Sequence, residues 1–285
     1  MKYAVFQMAC DILKAGIGLM GQHTGAVVSA RLAEQLAPVI TAQTRVGNLR
    51  FYCPGHVAFW QAENLLTKEP ETNGWIDTFE PGDVMWDIGA NVGTYALYTA
   101  LKSGLTILAF EPCAINYHIL NQNIGLNHLE DRISAFCLAF SDVSRLDYLY
   151  MASTEFGQAG HTFGESTDWQ NQPLSAEFRQ ATLGFSIDDF VEQFAPPFPN
   201  HIKIDVDGIE NRIIRGAKKT LADRRLKSLL VELNTDRAEY CQQVMTQLEQ
   251  AGLTFQAKSH VDMFTSGPLA SVHNHLFIRC SFTPP

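Results

Sequence analysis

The stretch Val84-Met-Trp-Asp-Ile-Gly-Ala-Asn-Val-Gly93 decides the fold of this 285-residue chain. It begins as a short apolar run, reaches the acid Asp87 and breaks at Gly89, and a helical pattern follows over residues 94–101. A buried strand, a glycine turn and a helix in this order build a nucleotide-type pocket, because glycine lets the backbone approach a ligand and the helix N-terminus offers free N–H groups. The stretch therefore predicts the first strand and the first ligand-binding turn of an α/β domain.

Strands and helices alternate from this turn onward. The alternation predicts a doubly wound, mostly parallel sheet with helices on both faces, closed by an antiparallel pair at about 253–258 and 275–281. Residues 1–65 are interpreted as a helical and hairpin extension, and residues 66–285 as the ligand-binding domain. The other predicted strands are 84–88, 106–110, 133–138, 200–206 and 228–233, and the helices between them are 93–102, 113–126, 186–195, 209–222 and 237–251.

Residues 151–182 interrupt the alternation, being rich in Gly, Ser, Thr, Gln and aromatic residues without a clear period. A loop of this length inside a compact domain is uncommon and is usually functional or disordered. Aromatic residues such as Phe163 and Trp169 argue against disorder, so we expect a substrate-facing loop. His161 in this loop is a candidate base because histidine titrates near neutral pH, although a loop histidine is more often a solvated bystander.

Composition excludes several classes of protein. A net charge of −9 gives no support for nucleic-acid binding, which needs a basic surface. The six cysteines form no CxxC pair, so we expect free thiols rather than a zinc site or a disulfide framework. The N-terminal apolar run is interrupted by Asp11 and Lys14 and is too short to span a bilayer. We therefore expect a cytoplasmic protein without a signal peptide or membrane span. Its N-terminal helix is expected to pack on another surface, either of this chain or of a partner, and homo-oligomer formation is left open.

The glycine turn differs from that of dinucleotide-binding enzymes, which carry G-x-G-x-x-G after the first strand. Here the pattern is Asp87-x-Gly89-x-Asn91-x-Gly93, and Glu111 ends the second strand, where an acid can accept hydrogen bonds from both hydroxyls of a ribose. The pattern favours a ribose-bearing cofactor other than NAD, and Asp87 could hold the cationic end of S-adenosylmethionine. The alternative is that Asp87 caps the turn and Glu111 is solvated. The residues predicted to hold the cofactor are Asp87, Gly89, Ala90, Asn91, Gly93, Glu111 and Pro112, with Ser141 and Asp142 at an adenine edge.

Further motifs give the chain a family resemblance. Glu69-Pro-Glu71, Phe110-Glu-Pro112, Ala139-Phe-Ser-Asp142 and above all His201-Ile-Lys-Ile-Asp-Val-Asp-Gly-Ile-Glu210 accompany the glycine turn. Together these motifs resemble the FkbM family of S-adenosylmethionine-dependent methyltransferases over about residues 65–281, although Asp207 stands where that family more often has a glutamate. The resemblance implies a seven-stranded sheet with six parallel strands and one reversed. It also implies an O-methyltransferase whose acceptor is a hydroxyl of a sugar, a glycan, or a glycosylated or polyketide-type metabolite.

Acids at the ends of the fourth and fifth strands are the candidate catalytic groups. Asp205 is the best-placed base, and Lys203 points to the same face of the strand, as a functional pair or as a structural ion pair. Glu210 is a further candidate, or else an acid that favours a helix start. Oxygen atoms of Asp205, Glu232 and Asn234 could bind a hard cation such as Mg²⁺. The predicted catalytic set is Asp205, Lys203, Glu210, Glu232 and His161.

Three other functions stay open at the level of sequence. An N-methyltransferase acting on a small amine would need no strong base. A non-catalytic partner subunit that kept the fold would not bind S-adenosylmethionine. A nicotinamide oxidoreductase is disfavoured by the missing third glycine.

Overall fold

The computed structural model describes residues 2–260 and 267–279, including the side chains of all but residues 2–4 and 268. The chain divides into two compact units, Met1–Val39 and Ile40–Pro285. Residues 40–65, which the sequence assigned to the extension, lie in the second unit.

The first unit consists of two helices, α1 (Lys2–Gly18) and α2 (Gln22–Leu36), which pack on each other. They approach closely at Gly25, where a Cβ atom would lie 2.9 Å from the carbonyl oxygen of Ile17. Helix α2 ends before Pro38, because the residue that precedes a proline is driven to an extended conformation. Both helices lie within residues 1–65, for which the sequence predicted a helical and hairpin extension.

A two-stranded sheet of β1 (Val39–Gln43) and β2 (Asn48–Tyr52) follows. Helices α3 (His56–Glu63) and α4 (Pro70–Asp77) follow. The later strands are β3 (Val84–Ile88), β4 (Thr106–Phe110), β5 (Ile133–Phe136), β6 (Ala139–Phe140), β7 (Arg145–Met151), β8 (Thr162–Phe163), β9 (Phe178–Phe185), β10 (His201–Ile204), β11 (Ser228–Asn234), β12 (Leu253–His260) and β13 (Val272–Arg279).

Seven of these strands form the central sheet, in the spatial order β12, β13, β11, β10, β3, β4, β5. Strand β13 is antiparallel to both of its neighbours, and the other neighbouring pairs are parallel. The predicted sheet of six parallel strands and one reversed strand is therefore confirmed. Strand β13 was predicted at 275–281; residues 280 and 281 lie outside the described residues, and so does Cys280.

Helices cover the sheet between its strands. The predicted helix 209–222 is divided in two at Gly216, whose backbone packs so closely on Ser141 that a Cβ atom would lie 2.3 Å from the Ser141 carbonyl oxygen. A 3₁₀ turn (Pro268–Ser271) precedes β13. The helices are α5 (Thr94–Leu101), α6 (Ala114–Leu126), α7 (Ile187–Phe194), α8 (Glu210–Arg215), α9 (Lys218–Ala222) and α10 (Ala238–Gln250).

A second sheet, in the order β6, β9, β7, β8, was not predicted. The expected strand 133–138 ends at Phe136, and the chain then leaves the central sheet and pairs β6 in parallel with β9. The expectation of an irregular segment over 151–182 was wrong for β8 and for the first half of β9. Strand β9 escaped prediction because its first half is largely exposed and shows no alternation of apolar and polar residues.

Strands β3, β4, β10 and β11 at the centre of this sheet are buried on both faces, which explains their largely apolar runs. On β3, Trp86 and Ile88 enter one apolar core and Met85 enters the other. The five described cysteines are free thiols. Within the described ranges, no helix combines the length and the apolar character needed to cross a membrane.

Candidate active site

A cavity of about 250 Å³ opens at the carboxyl ends of β3, β4, β10 and β11. The carboxyl ends of parallel strands meet at one edge of a sheet, which is where α/β proteins bind ligands. One part of the cavity lining, which we call the donor side, consists of residues 88–91, 110–112 and 138–140. The lining also includes Trp60, Gln61, Lys68, Lys203, Asp205, Glu232, Leu269 and Val272.

The predicted glycine turn forms part of the donor side. Gly89 has φ +85°, and a Cβ atom on it would lie 1.8 Å from the backbone oxygen of Asp205. The N–H groups of Gly89 and Ala90 donate to the carbonyl of Phe110, at 2.9 and 3.0 Å. Gly93, with φ +91°, starts helix α5 and does not line the cavity. Position 89 therefore requires glycine, both for its backbone angle and for the close approach of β10.

Asp87 lies buried directly before this turn. Neither of its carboxylate oxygens makes a well-formed hydrogen bond in the described structure. Burial raises the pKa of Asp87 to about 6, although the charge of Lys203, its register partner on β10, acts in the opposite direction. Buried polar atoms are nearly always satisfied, so an unsatisfied carboxylate beside a cavity points to a ligand that supplies a cation or donors.

Glu111 follows the second strand of the parallel sheet and lines the cavity. One of its oxygens accepts the N–H of Asn91 and the other accepts the N–H of Cys113, both at 2.8 Å. Burial raises the pKa of Glu111 to about 7 in spite of these bonds. Each carboxylate oxygen keeps a second acceptor site, so Glu111 is held in place while still able to accept hydroxyl groups. Pro112 lies beside it in the cavity wall.

Lys203 and Asp205 form an ion pair at the end of β10. The ammonium of Lys203 donates to Asp205 Oδ2 at 2.6 Å and lies 4.9 Å from the ring centre of Tyr95. Burial by itself would lower the pKa of Lys203, but the carboxylates of Asp205, Glu69 and Asp87 outweigh it and raise that pKa. Burial would raise the pKa of Asp205, and Lys203 and Lys68 hold it below the ordinary value.

Two glutamates complete the cluster. Oxygen atoms of Glu69, Asp205 and Glu232 lie within 4.8 Å of one another, and Lys68 contacts Glu69 at 3.1 Å. Burial, followed by the charges of Asp205 and Glu69, raises the pKa of Glu232 well above its ordinary value. The raised pKa of Glu232 and its hydrogen bond with Asp205, which lowers the pKa of Asp205, favour a proton on Glu232 rather than on Asp205.

The side chains whose oxygen atoms could bind a metal ion differ in one member from the predicted set of Asp205, Glu232 and Asn234. The structure brings Asp205 and Glu232 together as predicted, but the third acid is Glu69, which starts α4. Asn234 is not brought to the cavity: its side-chain oxygen accepts the N–H of Asp236 at 3.0 Å. The side chain of Asn234 therefore stabilises the turn that follows β11.

Three other predicted residues are not brought to the cavity. Because the chain leaves the central sheet after β5, Leu138, Ala139 and Phe140 line the cavity, whereas Ser141 and Asp142 lie beyond it. Asp142 pairs instead with Arg212 and Arg215, at 3.0 and 3.2 Å. Glu210 accepts the N–H of Gly208 and the hydroxyl of Tyr240, so it fixes the start of α8 and its contact with α10.

His161 lines the cavity but is poorly suited to take up a proton. Its Nδ1 accepts the N–H of Ala152 at 3.3 Å, so the neutral ring carries its proton on Nε2. Burial lowers the pKa of His161 to about 4. The ring can donate a hydrogen bond to a ligand, whereas Asp205 is the ionised acceptor at this site.

Residues 156–161 cover the donor side and are held by side chains around the cavity. Asn91 donates to the carbonyl of Gly157 at 3.1 Å, and Asn116 donates to that of Gln158 at 2.9 Å. Asp207, in the left-handed region with φ 59°, accepts the N–H of Gly160 at 2.7 Å. The irregular segment thus faces the cavity and is bonded to the turn that precedes α5.

Sequence reasoning missed several residues of the cavity. Trp60, Gln61, Lys68 and Glu69 come from α3 and the start of α4, and Tyr95 comes from α5. The only signal was the Glu69-Pro-Glu71 motif, which contributed to the family resemblance and lies at the start of α4. Nothing in the local pattern indicates that Glu69 lies near Asp205, because the two are brought together only by the fold.

The order of the central sheet, its single reversed strand and the acid-glycine turn define the class I fold of S-adenosylmethionine-dependent methyltransferases. The sequence profile of the family described as the methyltransferase FkbM domain matches residues 87–255, which is more than half of the chain. The chain therefore belongs to the FkbM methyltransferase family and is an S-adenosylmethionine-dependent methyltransferase.

Two characterised relatives and one solved structure resemble the chain. The hexuronic acid methyltransferase AglP of Haloferax volcanii is 24% identical over 185 residues, which cover 65% of this chain and 70% of that protein. The 31-O-demethyl-FK506 methyltransferase FkbM of Streptomyces tacrolimicus is 37% identical over 54 residues, only 19% of this chain and 21% of its own length. A methyltransferase FkbM from Methylobacillus flagellatus superposes with a TM-score of 0.47 at 14% identity, over 70% of this chain and 44% of that one.

Proposed function

We propose that this protein transfers the methyl group of S-adenosylmethionine to a hydroxyl of a saccharide or a glycosylated small molecule. The observation that carries the proposal is Asp205, a carboxylate with a lowered pKa that lines the cavity and whose backbone touches the glycine turn. A hydroxyl acceptor must lose its proton during transfer, and a positioned carboxylate can take it.

The donor side fits S-adenosylmethionine. The unpartnered Asp87 suits the ammonium end of the cofactor, and Glu111 suits the two ribose hydroxyls. The apolar residues Leu138 and Phe140 suit the adenine ring, the role that the sequence gave to Ser141 and Asp142. When bound, S-adenosylmethionine supplies an electrophilic methyl group.

Lys203 and Glu232 orient the Asp205 carboxylate and favour its ionised form, which a general base requires. The 2.6 Å bond from Lys203 fixes the orientation of the carboxylate and keeps it ionised. Glu232, which holds its proton, cannot compete as a base but completes the hydrogen-bonding of Asp205. A base with a low pKa is adequate because a hydroxyl becomes strongly acidic as its oxygen gains a bond to carbon.

We further propose that proton transfer here proceeds without a metal ion. Two of the three clustered acids are already matched by lysine ammonium groups, Lys203 on Asp205 and Lys68 on Glu69. A divalent cation would have to displace or repel both ammonium groups at close range.

The acidity of the cavity supports a hydroxyl acceptor over a carboxylate. Asp205, Glu69 and the other buried acids would repel an anionic acceptor group at the reacting position. AglP is described as acting on a hexuronic acid, which carries both hydroxyls and a carboxylate, and the name of the Streptomyces enzyme refers to methylation at an oxygen. Both relatives are compatible with an oxygen acceptor.

The test is transfer of a labelled methyl group to a panel of methyl glycosides of neutral hexoses, hexuronic acids and amino sugars. We expect a labelled product that survives mild alkali, as an ether does. An alkali-labile product would indicate a methyl ester and contradict the hydroxyl assignment. Label retained only by the amino sugars would indicate N-methylation instead.

A further inference from the structure

The ammonium of Lys203 is buried, and several acids attract it. It donates to Asp205 Oδ2 at 2.6 Å, and the lysine side chain is only 1% exposed. The carboxylates of Glu69 and Asp87 also attract the ammonium, because their charges raise its pKa. An ammonium group has three N–H donors and sits on a flexible stem. The position of Lys203 on Asp205 therefore depends on the other groups that surround the ammonium.

Tyr95 is the aromatic residue that packs on this ammonium. Its ring centre lies 4.9 Å from Lys203 Nζ, which is within the range of a cation–π interaction. Tyr95 is buried and lines the cavity. An aromatic face attracts a cation through its quadrupole, and this attraction is weaker than that of a carboxylate charge. The ring therefore compensates for part of the burial of Lys203 without drawing the ammonium away from Asp205.

The backbone and the hydroxyl of Tyr95 are held in place as well. Gly93, with φ +91°, precedes α5, so Tyr95 lies in the first turn of the helix that follows the glycine turn. Its carbonyl accepts the hydroxyl of Thr99 at 2.8 Å. Its own hydroxyl is hydrogen-bonded to Glu69, and burial, followed by the charge of Glu69, raises the pKa of Tyr95 well above its ordinary value. The phenol therefore stays neutral and donates this hydrogen bond, so Tyr95 contacts both Lys203 and a second acid that attracts Lys203.

We propose that Tyr95 is a positioning residue for methyl transfer, whose ring holds the Lys203 ammonium on Asp205. Its hydroxyl restrains Glu69 from competing for the same ammonium. This inference rests on the role of Asp205 as the base in the proposed function, and it adds the side chain that keeps the base oriented. Tyr95 acts through Lys203 and takes up no proton itself, so its effect on turnover should disappear when the lysine is removed.

The experiment measures turnover in Tyr95→Leu, Tyr95→Phe, Lys203→Met and the double variant Tyr95→Leu/Lys203→Met. The matched control is Tyr98→Leu, because Tyr98 is a buried residue of the same helix, does not line the cavity, and donates its hydroxyl to the carboxylate of Asp77 at 2.8 Å. With saturating S-adenosylmethionine and the methyl glycoside that is the best acceptor of the panel, we expect kcat to fall about ten- to thirtyfold in Tyr95→Leu. Tyr95→Phe keeps the ring and should stay within about fivefold of the wild type, and the control within about twofold. In the Lys203→Met background, Tyr95→Leu should change kcat less than about twofold.

A second readout does not depend on turnover. In protein that contains isotope-labelled lysine, a buried ammonium whose hydrogens exchange slowly gives its own NMR signal, and an aromatic ring packed on it shifts that signal upfield. We expect an upfield signal in the wild type and in Tyr95→Phe that is missing from Lys203→Met and moves downfield in Tyr95→Leu. The Kd of S-adenosylhomocysteine, measured by calorimetry, should stay within about threefold of the wild type in both Tyr95 variants, since only the orientation of the base is lost.

Three results would overturn the inference while leaving the base assignment intact. These are equal losses of kcat from Tyr95→Leu with and without Lys203, a loss no larger than that in Tyr98→Leu, and a Lys203 signal that Tyr95→Leu leaves unchanged. Near-normal turnover in Asp205→Asn would instead overturn the base assignment of the proposed function, and the positioning role of Tyr95 with it.

Discussion

The two ends of the central sheet carry similar polar residues, but these residues are fully hydrogen-bonded at the amino end and incompletely so at the carboxyl end. Strands β3, β10 and β11 each carry a polar residue at or beside the amino end and another at or near the carboxyl end. At the amino end these are Asp83, His201 and Ser228, and at the carboxyl end they are Asp87, Asp205 and Glu232. The six residues differ mainly in how completely their polar atoms are satisfied.

At the amino end every group has a partner. His201 contacts Ser228 Oγ through Nδ1 at 2.7 Å and Asp83 through Nε2 at 3.0 Å. Trp75 donates to the same Ser228 oxygen at 2.8 Å, and Lys227 contacts Asp83 at 2.8 Å. The residue types are those of a hydrolytic triad, but His201 is fully buried and reaches no substrate, so the arrangement is structural.

At the carboxyl end the acids are buried without full compensation. Asp87 makes no well-formed hydrogen bond, and Glu232 keeps a proton because ionised acids surround it. By contrast, His201 and Lys227 help to hold the pKa of Asp83 below its ordinary value against the effect of burial. The polar groups at the amino end of these strands therefore stabilise the fold. The acids at the carboxyl end are incompletely hydrogen-bonded and are available to bind a ligand.

The largest effect is expected from removing the charge of Asp205. Asp205→Asn should lower turnover about 10²- to 10⁴-fold, because the acceptor proton loses its destination, while the Kd of S-adenosylmethionine stays nearly constant. Labelled-methyl transfer and calorimetry measure the two quantities. The exposed Asp131→Asn is the matched control, and turnover in Asp205→Asn close to that of the control would place the base elsewhere.

A change at the amino end should act on stability instead. Asp83→Ala removes the acid shared by His201 and Lys227, and we expect a loss of about 3 kcal/mol in the free energy of unfolding. Denaturant titration gives this value, and turnover at low temperature should be unchanged. Asp223→Ala, which breaks a surface pair with Arg225, should cost under about 1 kcal/mol. Equal losses in the two variants would remove the contrast between the two ends of the sheet.

Glu111→Gln should weaken the donor site without affecting proton transfer. The amide has one acceptor oxygen instead of two and turns a donor toward the N–H of Asn91 or Cys113. We expect the Kd of S-adenosylmethionine to rise about tenfold to a hundredfold, with near-normal turnover at saturation. The exposed Glu130→Gln serves as control. A turnover defect at saturating cofactor would mean that Glu111 acts in the chemical step.

The raised pKa values at the carboxyl end predict an unusual dependence of stability on pH. Asp87 at about 6 and Glu111 at about 7 bind protons in the folded protein that the unfolded chain has already released. In the cofactor-free protein these two acids should therefore add stability as the pH falls from about 7.5 to 5.5, by up to about 1.4 kcal/mol per pH unit for each group. The buried His161 and His275, whose pKa burial lowers to about 4, act in the opposite direction, so the contribution of Glu111 is read as the difference between the wild type and Glu111→Gln.

The same titration should weaken binding of S-adenosylmethionine, which needs both carboxylates ionised. Thermal unfolding and calorimetry across this range measure the two trends. Glu111→Gln should flatten both curves, and a cofactor affinity that rises toward low pH would contradict the assignment of these two acids.

The smallest effect is expected from chelation. Because Lys203 and Lys68 already match two of the clustered acids, dialysis against EDTA should change turnover less than about twofold. Loss of activity that returns with added Mg²⁺ would show that Glu69, Asp205 and Glu232 act as metal ligands.

The sequence was sufficient to predict those site residues whose place in the fold follows from their position at the end of a strand or in the turn after it. The alternation of strands and helices predicted the central sheet, and the positions of Gly89 and Glu111 after their strands predicted a ligand site whose cavity both residues line, with Asp87 buried directly before the turn. Ser141 and Asp142 were misplaced because the chain departs from the sheet one strand earlier than a regular alternation implies. Lys68, Glu69 and Trp60 could not be predicted, since they reach the cavity from α3 and α4 through tertiary packing alone.

The contact between Gly89 and the backbone of Asp205 has a consequence for how this enzyme could change. The turn proposed to receive the donor and the carboxylate proposed to receive the proton touch through main chain, so their separation is independent of any side chain. Substitutions of the side chains that line the cavity should then leave the spacing of these two groups unaltered. In an engineering experiment, the lining side chains can be randomised while this spacing is inherited unchanged.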